Sequence, residues 1–242
     1  YALYAGEIKS FGYQGGLRGE YTYRKISATG ESEIPTIDRW DIFPTIHLSY
    51  DIPGDNQIMG SYTRRIDRPR GWYLEPFLTW SDAYNVRRGN PNLKPEYIDS
   101  YEIAYIKKFN KNFISLESYY RVTHNKIERV KTVYSENVML STMDNVGKDY
   151  ALGLEFMFSY QFFKWWEADL MANYYRYKVE GILYDEDFSN KSNNWSTRLN
   201  STFNIKGNTK LQINGIYDGP SADAQGTREG FFMLNAAIRQ DF

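Results

Sequence analysis

Ile37-Asp38-Arg39-Trp40-Asp41-Ile42-Phe43-Pro44-Thr45-Ile46-His47-Leu48-Ser49-Tyr50-Asp51-Ile52 alternates along its length. Ile42, Pro44, Ile46, Leu48, Tyr50 and Ile52 fall on one face, and Phe43, Thr45, His47, Ser49 and Asp51 on the other. Successive side chains of a strand point to opposite sides, so this pattern predicts a strand with one apolar and one polar face. Pro44 lacks an amide donor and belongs near the strand's start or at a gap in the ladder. Pro53-Gly54-Asp55-Asn56 closes a short hairpin, and Gln57 to Arg65 returns with Ile58, Gly60 and Tyr62 opposed to Met59, Ser61 and Thr63.

The same alternation recurs to either side. Tyr1–Lys9, Tyr13–Lys25, Glu96–Phe109, Phe113–Val122, Tyr150–Tyr160, Trp166–Lys178, Trp195–Ile205, Leu211–Tyr217 and Phe231–Arg239 read as strands, about eleven in all. Short turns near Gly12, Gly54, Asn110, Phe163 and Gly207 alternate with longer polar links around Gly30, Trp80, Val138, Asp187 and Asp223, with Thr132–Asp144 a loose rim segment and Glu180–Asn194 a solvated loop. Bacterial outer-membrane barrels have this asymmetry, with short periplasmic turns and longer extracellular loops. Several runs reach roughly 10 to 14 residues, enough to cross a bilayer when tilted. The fold class expected is all-β, an antiparallel transmembrane β-barrel or a large part of one. A water-soluble barrel or sandwich with the aromatic face turned inward is the alternative.

Composition bears on that choice. Of 242 residues, Tyr 22, Phe 14 and Trp 6 make 17%, while hydrophobic residues reach 42% and mean hydropathy is -0.62. A soluble core leans on Val, Leu and Ile, whereas aromatic girdles flank the apolar band of a membrane barrel. Arg18, Glu20, Arg24, Asp51, Glu102, Glu117, Arg121, Glu155, Glu167, Asp169 and Arg198 fall opposite the apolar face. A basic residue facing lipid near the midplane costs about 2 to 4 kcal/mol, so these charges belong on a polar lumen. The formal net charge of -1 gives no basic excess for nucleic acid. Cysteine is absent, and His47 and His124 are too few and too far apart for a metal motif, so neither metal nor cofactor is expected. Tyr1-Ala2-Leu3-Tyr4 has no basic start and no long apolar run, and the chain reads as an internal piece of a longer protein.

The longest interval without alternation is Ile66 to Glu96, which holds Trp72, Tyr73, Phe77, Trp80 and Tyr84 and is stiffened by Pro69, Pro76, Pro91 and Pro95. Arg64, Arg65 and Arg68 at its entrance suit either an anionic ligand or lipopolysaccharide, or pairing with Asp67, Glu75 or Glu96. Trp72, Phe77, Trp80 and Tyr84 suit either stacking on a ligand or an aromatic rim. Gly89, Asn90, Pro91, Leu93, Pro95 and Glu96 read as a mechanical element, with Glu96 pairing or capping locally. Trp165 and Trp166 at one end, with Tyr174, Tyr175 and Tyr177 at the other, suit two interfacial girdles. Asp185, Glu186 and Asp187 lack the glycine and later glutamate of a calcium loop and read as solvated. His47, Ser49 and Asp51 share a face but stand about 7 Å apart along a strand, too far for a relay. His124 has no partner evident in sequence. No catalytic residue is expected.

Five pieces carry a family resemblance: Gly16-Leu17-Arg18-Gly19-Glu20; Phe43-Pro44-Thr45 leading into His47-Leu48-Ser49-Tyr50; Ser61-Tyr62-Thr63-Arg64-Arg65-Ile66-Asp67-Arg68-Pro69; Leu74-Glu75-Pro76-Phe77; and Gly89-Asn90-Pro91-Asn92-Leu93-Lys94-Pro95-Glu96. Tyr101-Glu102, Asn145-Val146-Gly147 and Gly153-Leu154-Glu155 continue it. The chain resembles the barrel domain of TonB-dependent outer-membrane receptors, most of all the outer-membrane beta-barrel family common in Bacteroidetes. The resemblance implies a parent barrel of about twenty-two strands in the bacterial outer membrane, of which residues 1–242 form one partial domain without the plug or the closing strands. It also implies uptake of a bulky nutrient of unknown identity, coupling to the TonB complex through the plug, contact with outer-membrane lipid and lipopolysaccharide, and room for a surface lipoprotein. A passive pore is the competing reading.

Overall fold

A computed structural model describes residues 1–27, 34, 36–205, 208–222 and 226–240. Its strands are β1 (Ala2–Ile8), β2 (Phe11–Arg24), β3 (Ile37–Ile52), β4 (Asn56–Asp67), β5 (Thr79–Trp80), β6 (Asn85–Arg87), β7 (Glu96–Phe109), β8 (Asn112–Ser135), β9 (Val138–Phe163), β10 (Trp166–Leu183), β11 (Glu186–Ile205), β12 (Thr209–Asp218), β13 (Ser221–Ala222), β14 (Thr227–Arg228) and β15 (Phe231–Gln240). Eleven of them form one antiparallel meander in the order β1-β2-β3-β4-β7-β8-β9-β10-β11-β12-β15, and β1 and β15 are its two edges.

Register shows which side each residue takes. The row Ile46, Tyr62, Tyr101, Tyr120 and Leu152 runs across β3, β4, β7, β8 and β9 on one face. Leu154, Tyr174 and Trp195 continue that face through β10 and β11, and Tyr217 and Phe232 through β12 and β15. The eleven charged residues assigned to the polar side all lie on the opposite face, as Glu117 opposite Glu155 and Asp169 opposite Asn200 illustrate. The facing of β1, left open by its sequence, follows from Tyr4 opposite Gly15 and Gly6 opposite Tyr13, which put Tyr4 and Ile8 on the apolar side.

Among the described residues nothing forms a second layer on that apolar face. Ile42 is 61% exposed, Ile103 66% and Leu234 63%. A soluble sandwich would cover such a face, and water does not tolerate an apolar surface continuous across eleven strands. The small buried cluster lies elsewhere, where Val130, Val146 and Val179 pack with Tyr177, Leu183 and Phe188 between the upper parts of β8, β9, β10 and β11.

Four features correct the sequence reading. Thr132–Asp144 is not a loose rim, because β8 and β9 run on as a hairpin through Glu136-Asn137. Glu180–Asn194 is not a loop either: β10 and β11 continue to a two-residue turn at Tyr184-Asp185, both left-handed (φ 56° and 63°) as such a turn requires. Tyr175 and Tyr177 are on the polar face, with the Tyr177 hydroxyl bonded to Asp149 at 3.2 Å, so of the three tyrosines Tyr174 alone joins the aromatic row. His124 has a partner, since its Nε2 lies 3.3 Å from Asp99. The links around Gly30 and Asp223 and the turn at Gly207 lie outside the described residues.

A bulge explains the last corner of the sheet. Asn125 adopts φ 55°, and the pairing shifts between His124 and Lys126. The extra residue reverses the alternation. His124 therefore lies on the apolar side and Lys126 on the polar side, 3.5 Å from Glu96 and 3.6 Å from Asp149.

Candidate functional site

The segment between β4 and β7 folds against the sheet rather than away from it. Above Gly147, the last residue of β9 paired with β10, strand β9 has a free edge, and β6 occupies it in parallel through Asn85–Met139, Val86–Leu140 and Arg87–Ser141. Val86 is 1% exposed there. An exposed edge invites pairing with another chain, and β6 covers it. β5 pairs back on β6, and a short 3-10 turn, Gly71–Tyr73, begins the segment.

The Gly89–Glu96 octapeptide fastens this segment at its far end. Gly89 donates to Glu75 O at 2.7 Å and Asn90 to Tyr73 O at 2.6 Å. A Cβ on Gly89 would stand 2.5 Å from Glu75 O, so the residue type follows from backbone proximity. The Asn90 side chain accepts from Asn92 N–H at 3.0 Å, an Asx turn. Leu93 is fully buried. Arg24 of β2 donates to the Pro91 and Leu93 carbonyls at 3.3 and 3.0 Å. Asn145 accepts from Lys94 N–H at 2.8 Å and donates to Lys94 O at 3.0 Å and Asn125 O at 2.7 Å. Asn125 in turn donates to Pro95 O at 3.2 Å. Glu96 accepts from Ile127 N–H at 2.6 Å, thirty-one residues away, so its pairing is not local.

Between this segment and the β8–β9 hairpin lies a cavity of about 340 Å³ lined by Trp72, Phe77, Arg87, Arg129, Lys131 and Ser141, among others. Register puts Arg87, Ser141 and Lys131 side by side on three strands. Arg87 also stands over the Trp72 ring at 5.8 Å. Glu75 is the carboxylate among the lining residues. Guanidinium and ammonium groups beside exposed aromatic faces suit a ligand that is anionic and partly flat.

The residues singled out from sequence divide between uses. Trp72 lines the cavity, its ring edge-on to Tyr73 at 4.1 Å. Arg64 lies 3.6 Å from Asp99, which also accepts from Tyr62 at 2.8 Å, and stacks over Tyr97. Arg68 bonds Glu20 at 2.8 Å and Thr22 at 3.0 Å. The partners of these arginines are thus Asp99 and Glu20, not Asp67, Glu75 or Glu96. Arg65 is exposed on β4. Trp80 packs edge-on against Tyr134 at 6.2 Å, and Tyr84 is 65% exposed, its carbonyl accepting from Met139 N–H. Sequence reasoning passes over Arg87, Arg129 and Lys131, since only the parallel pairing of β6 on β9 brings them together. No relay forms around His47: Asp51 accepts instead from Gln57 at 2.7 Å.

At the tip of the segment, Asp82 accepts from Tyr84 N–H at 2.7 Å and from the Asn85 amide at 3.0 Å. The Tyr84 N–H and then the Asn85 side chain hold its carboxyl below the usual carboxylate range. A depressed folded pKa stabilises above the unfolded value, near 3.8, and the effect is lost as pH falls through the folded value. Amide exchange at Tyr84 and Asn85 should therefore stay slow from pH 7 to about 4, corrected for intrinsic rates, and rise below that; in Asp82→Ala, which has no side-chain acceptor, it should be fast throughout.

Solved structures of similar shape include the siderophore receptor PirA from Pseudomonas aeruginosa, with TM-score 0.65 and 14% identity over 95% of this chain and 39% of that one. The copper transporter OprC gives 0.65 and 17% over 96% and 38%. The FrpB iron transporter from Neisseria meningitidis gives 0.66 and 14% over 99% and 37%. The chain spans well under half the length of each. No curated protein sequence matches it. The family model of the outer membrane protein beta-barrel family matches residues 1–242, and with its apolar outer face and polar inner face the chain belongs to that family, a β-barrel fold of the bacterial outer membrane.

Proposed function

We propose that this chain is a partial wall of a TonB-dependent receptor, of the type common in Bacteroidetes, that takes up a bulky nutrient. The parent barrel has about twenty-two strands closed around a plug, with the short turns periplasmic and the Ile66–Glu96 segment at the extracellular rim. The observation that carries the reading is this segment. A passive pore needs only an open lumen, whereas here a long insertion is fastened to β2, β8 and β9 and forms a cationic and aromatic cavity at the rim. Arg87, Arg129 and Lys131 with Trp72 are the contacts proposed for an anionic nutrient, with Arg65, Trp80 and Tyr84 exposed beside them. Arg64 and Arg68 hold the wall through Asp99 and Glu20. The TonB complex would act through the plug, and a surface lipoprotein would sit over the rim.

The test uses the full-length protein in planar bilayers, together with a pull-down by the periplasmic domain of TonB. A plugged receptor stays closed until urea loosens the plug, and binds that domain. Steady conductance in the absence of denaturant, with no TonB binding, would establish the passive pore instead.

A further inference from the structure

A carboxylate stands in the cationic cavity at the rim, and an anion alone would be repelled by it. It belongs to Glu75 of the Leu74-Glu75-Pro76-Phe77 motif, while Arg87, Arg129 and Lys131 line the same cavity of about 340 Å³. Among the described residues the side chains of Glu75, Arg87 and Arg129 make no hydrogen bond or ion pair, so these opposite charges have not neutralised one another. Separate anchors hold them. The Glu75 carbonyl accepts from Gly89 N–H at 2.7 Å, and the next carbonyl, that of buried Pro76, accepts from Arg88 Nε at 2.9 Å. The cations are set by strand pairing instead: Arg87 and Lys131 flank Ser141, and Arg129 lies two residues before Lys131 on the same face of β8. Trp72 and Phe77 line the cavity with them, both exposed, and the Trp72 ring lies 5.8 Å from the Arg87 guanidinium.

We infer that the cavity takes the amino-terminal end of an acidic peptide and that Glu75 is the residue that selects it, an inference that rests on the uptake reading above. The terminal ammonium lies against Glu75. Acidic side chains of the next residues lie on Arg87, Arg129 and Lys131, with the Ser141 hydroxyl among them, and an aromatic first side chain lies on Trp72. Guanidinium forks match carboxylates, and a ring beside a guanidinium offers a flat apolar face. An extended residue spans about 3.4 Å, so three residues carry an amine and two carboxylates over about 10 Å, the scale of a cavity of this volume. The rest of the peptide continues out of the cavity, so a bulky nutrient can present such an end. A ligand bearing carboxylates alone meets Glu75 as a like charge, whereas an amine turns the same residue into a contact.

The full-length protein in non-ionic detergent is titrated calorimetrically with the carboxy-amidated peptide Phe-Glu-Glu-Gly-Gly and with its amino-acetylated form, which lacks the ammonium and keeps both carboxylates. The wild type should bind the free-amine form about tenfold more tightly, and Glu75→Gln should erase the difference. Arg87→Gln combined with Arg129→Gln should weaken both forms by about tenfold and leave the preference in place. All three side chains are exposed, so the folded band on an unheated gel should be unchanged in each variant. Equal binding of the two peptides by the wild type, or a preference that survives Glu75→Gln, would overturn the assignment; the cavity would stay a plain anion site where the arginine changes still weaken binding. Binding of neither peptide would overturn it as well. Binding that the double arginine change leaves untouched would overturn it and also remove the cavity from the uptake reading.

Discussion

Gly181→Ala should lower the unfolding free energy of the full-length protein by about 3 kcal/mol or more, an effect at the upper end for added volume in a packed site. A Cβ there would stand 1.6 Å from Val146 O, 2.6 Å from Val146 C and 2.8 Å from Gly147 Cα. All three are backbone atoms, so no rotamer change makes room. Gly147, its cross-strand partner, sits at φ 143°, where L side chains are strained, and a Cβ there would meet Glu180 O at 2.2 Å. The pair marks where β10 leaves β9 and β6 takes its place, and two backbones cross there at a separation that only glycine permits. Pushing them apart dislodges Val146 from Val130 and Val179 and, through Asn145, loosens the octapeptide. Gly15→Ala is the control, because nothing lies within 4 Å of the point where its methyl would stand, and the change should stay within about 0.5 kcal/mol. Urea unfolding of both variants in detergent, followed by tryptophan fluorescence, measures the difference. A Gly181→Ala protein as stable as Gly15→Ala would mean that the two strands do not approach in this way.

What the sequence makes legible here depends on how alternation meets the two solvents. Within the apolar band every second residue faces lipid, so Ile42, Ile46, Leu48 and Tyr50 declare their face, and Glu117, Glu155 and Asp169 declare the other. Beyond the band both faces meet water and the signal vanishes. Thr132–Asp144 and Glu180–Asn194 show no clean division into an apolar and a polar face and read as a loose rim and a loop, yet backbone pairing keeps them extended, so that β9 has 26 residues, roughly 85 Å of strand, where about ten would cross the bilayer. The bulge at Asn125 is equally silent, because one residue in left-handed conformation leaves no composition cue strong enough to reveal a change of face. Tyr175 and Tyr177 mislead for a simpler reason: their aromatic type suggests a girdle, while their parity along β10 puts them on the polar face with Tyr119 and Asp149. At the candidate site, the octapeptide and Asn145-Val146-Gly147 are both recognisable as motifs, but their union through Lys94 and Asn145 spans 51 residues of sequence. Arg68 and Glu20 are likewise 48 apart in sequence and meet only in the folded wall.

The same separation explains why one amide group matters so much to the rim. Asn145 ties the return of the long segment to the hairpin that forms the other wall of the cavity, using both its oxygen and its nitrogen, beside the single bonds of Glu96 to Ile127 and of Asn125 to Pro95. Asn145→Ala removes three hydrogen bonds to half-buried backbone, at about 0.5 to 1.5 kcal/mol each, and should cost the segment about 2 kcal/mol. Asn145→Asp should cost at least as much, since it keeps the acceptor for Lys94 N–H but sets a carboxylate against the Lys94 and Asn125 carbonyls. The barrel wall itself retains its ladders, so the loss is local: segment 68–95 opens while β7, β8 and β9 stay paired. Trypsin reads this directly at Arg87 and Arg88, since cleavage follows the open population when closing is fast, and 2 kcal/mol corresponds to about thirtyfold. The folded barrel band on an unheated gel should be unchanged while cleavage rises by that factor. If Asn145→Ala is cut no faster than wild type, the bonds from Arg24, Asn125 and Ile127 hold the octapeptide without it, and Asn145 is not the tie between the segment and the hairpin. If the whole barrel is lost instead, the segment is not an independent unit, and the cavity it forms is inseparable from the stability of the wall.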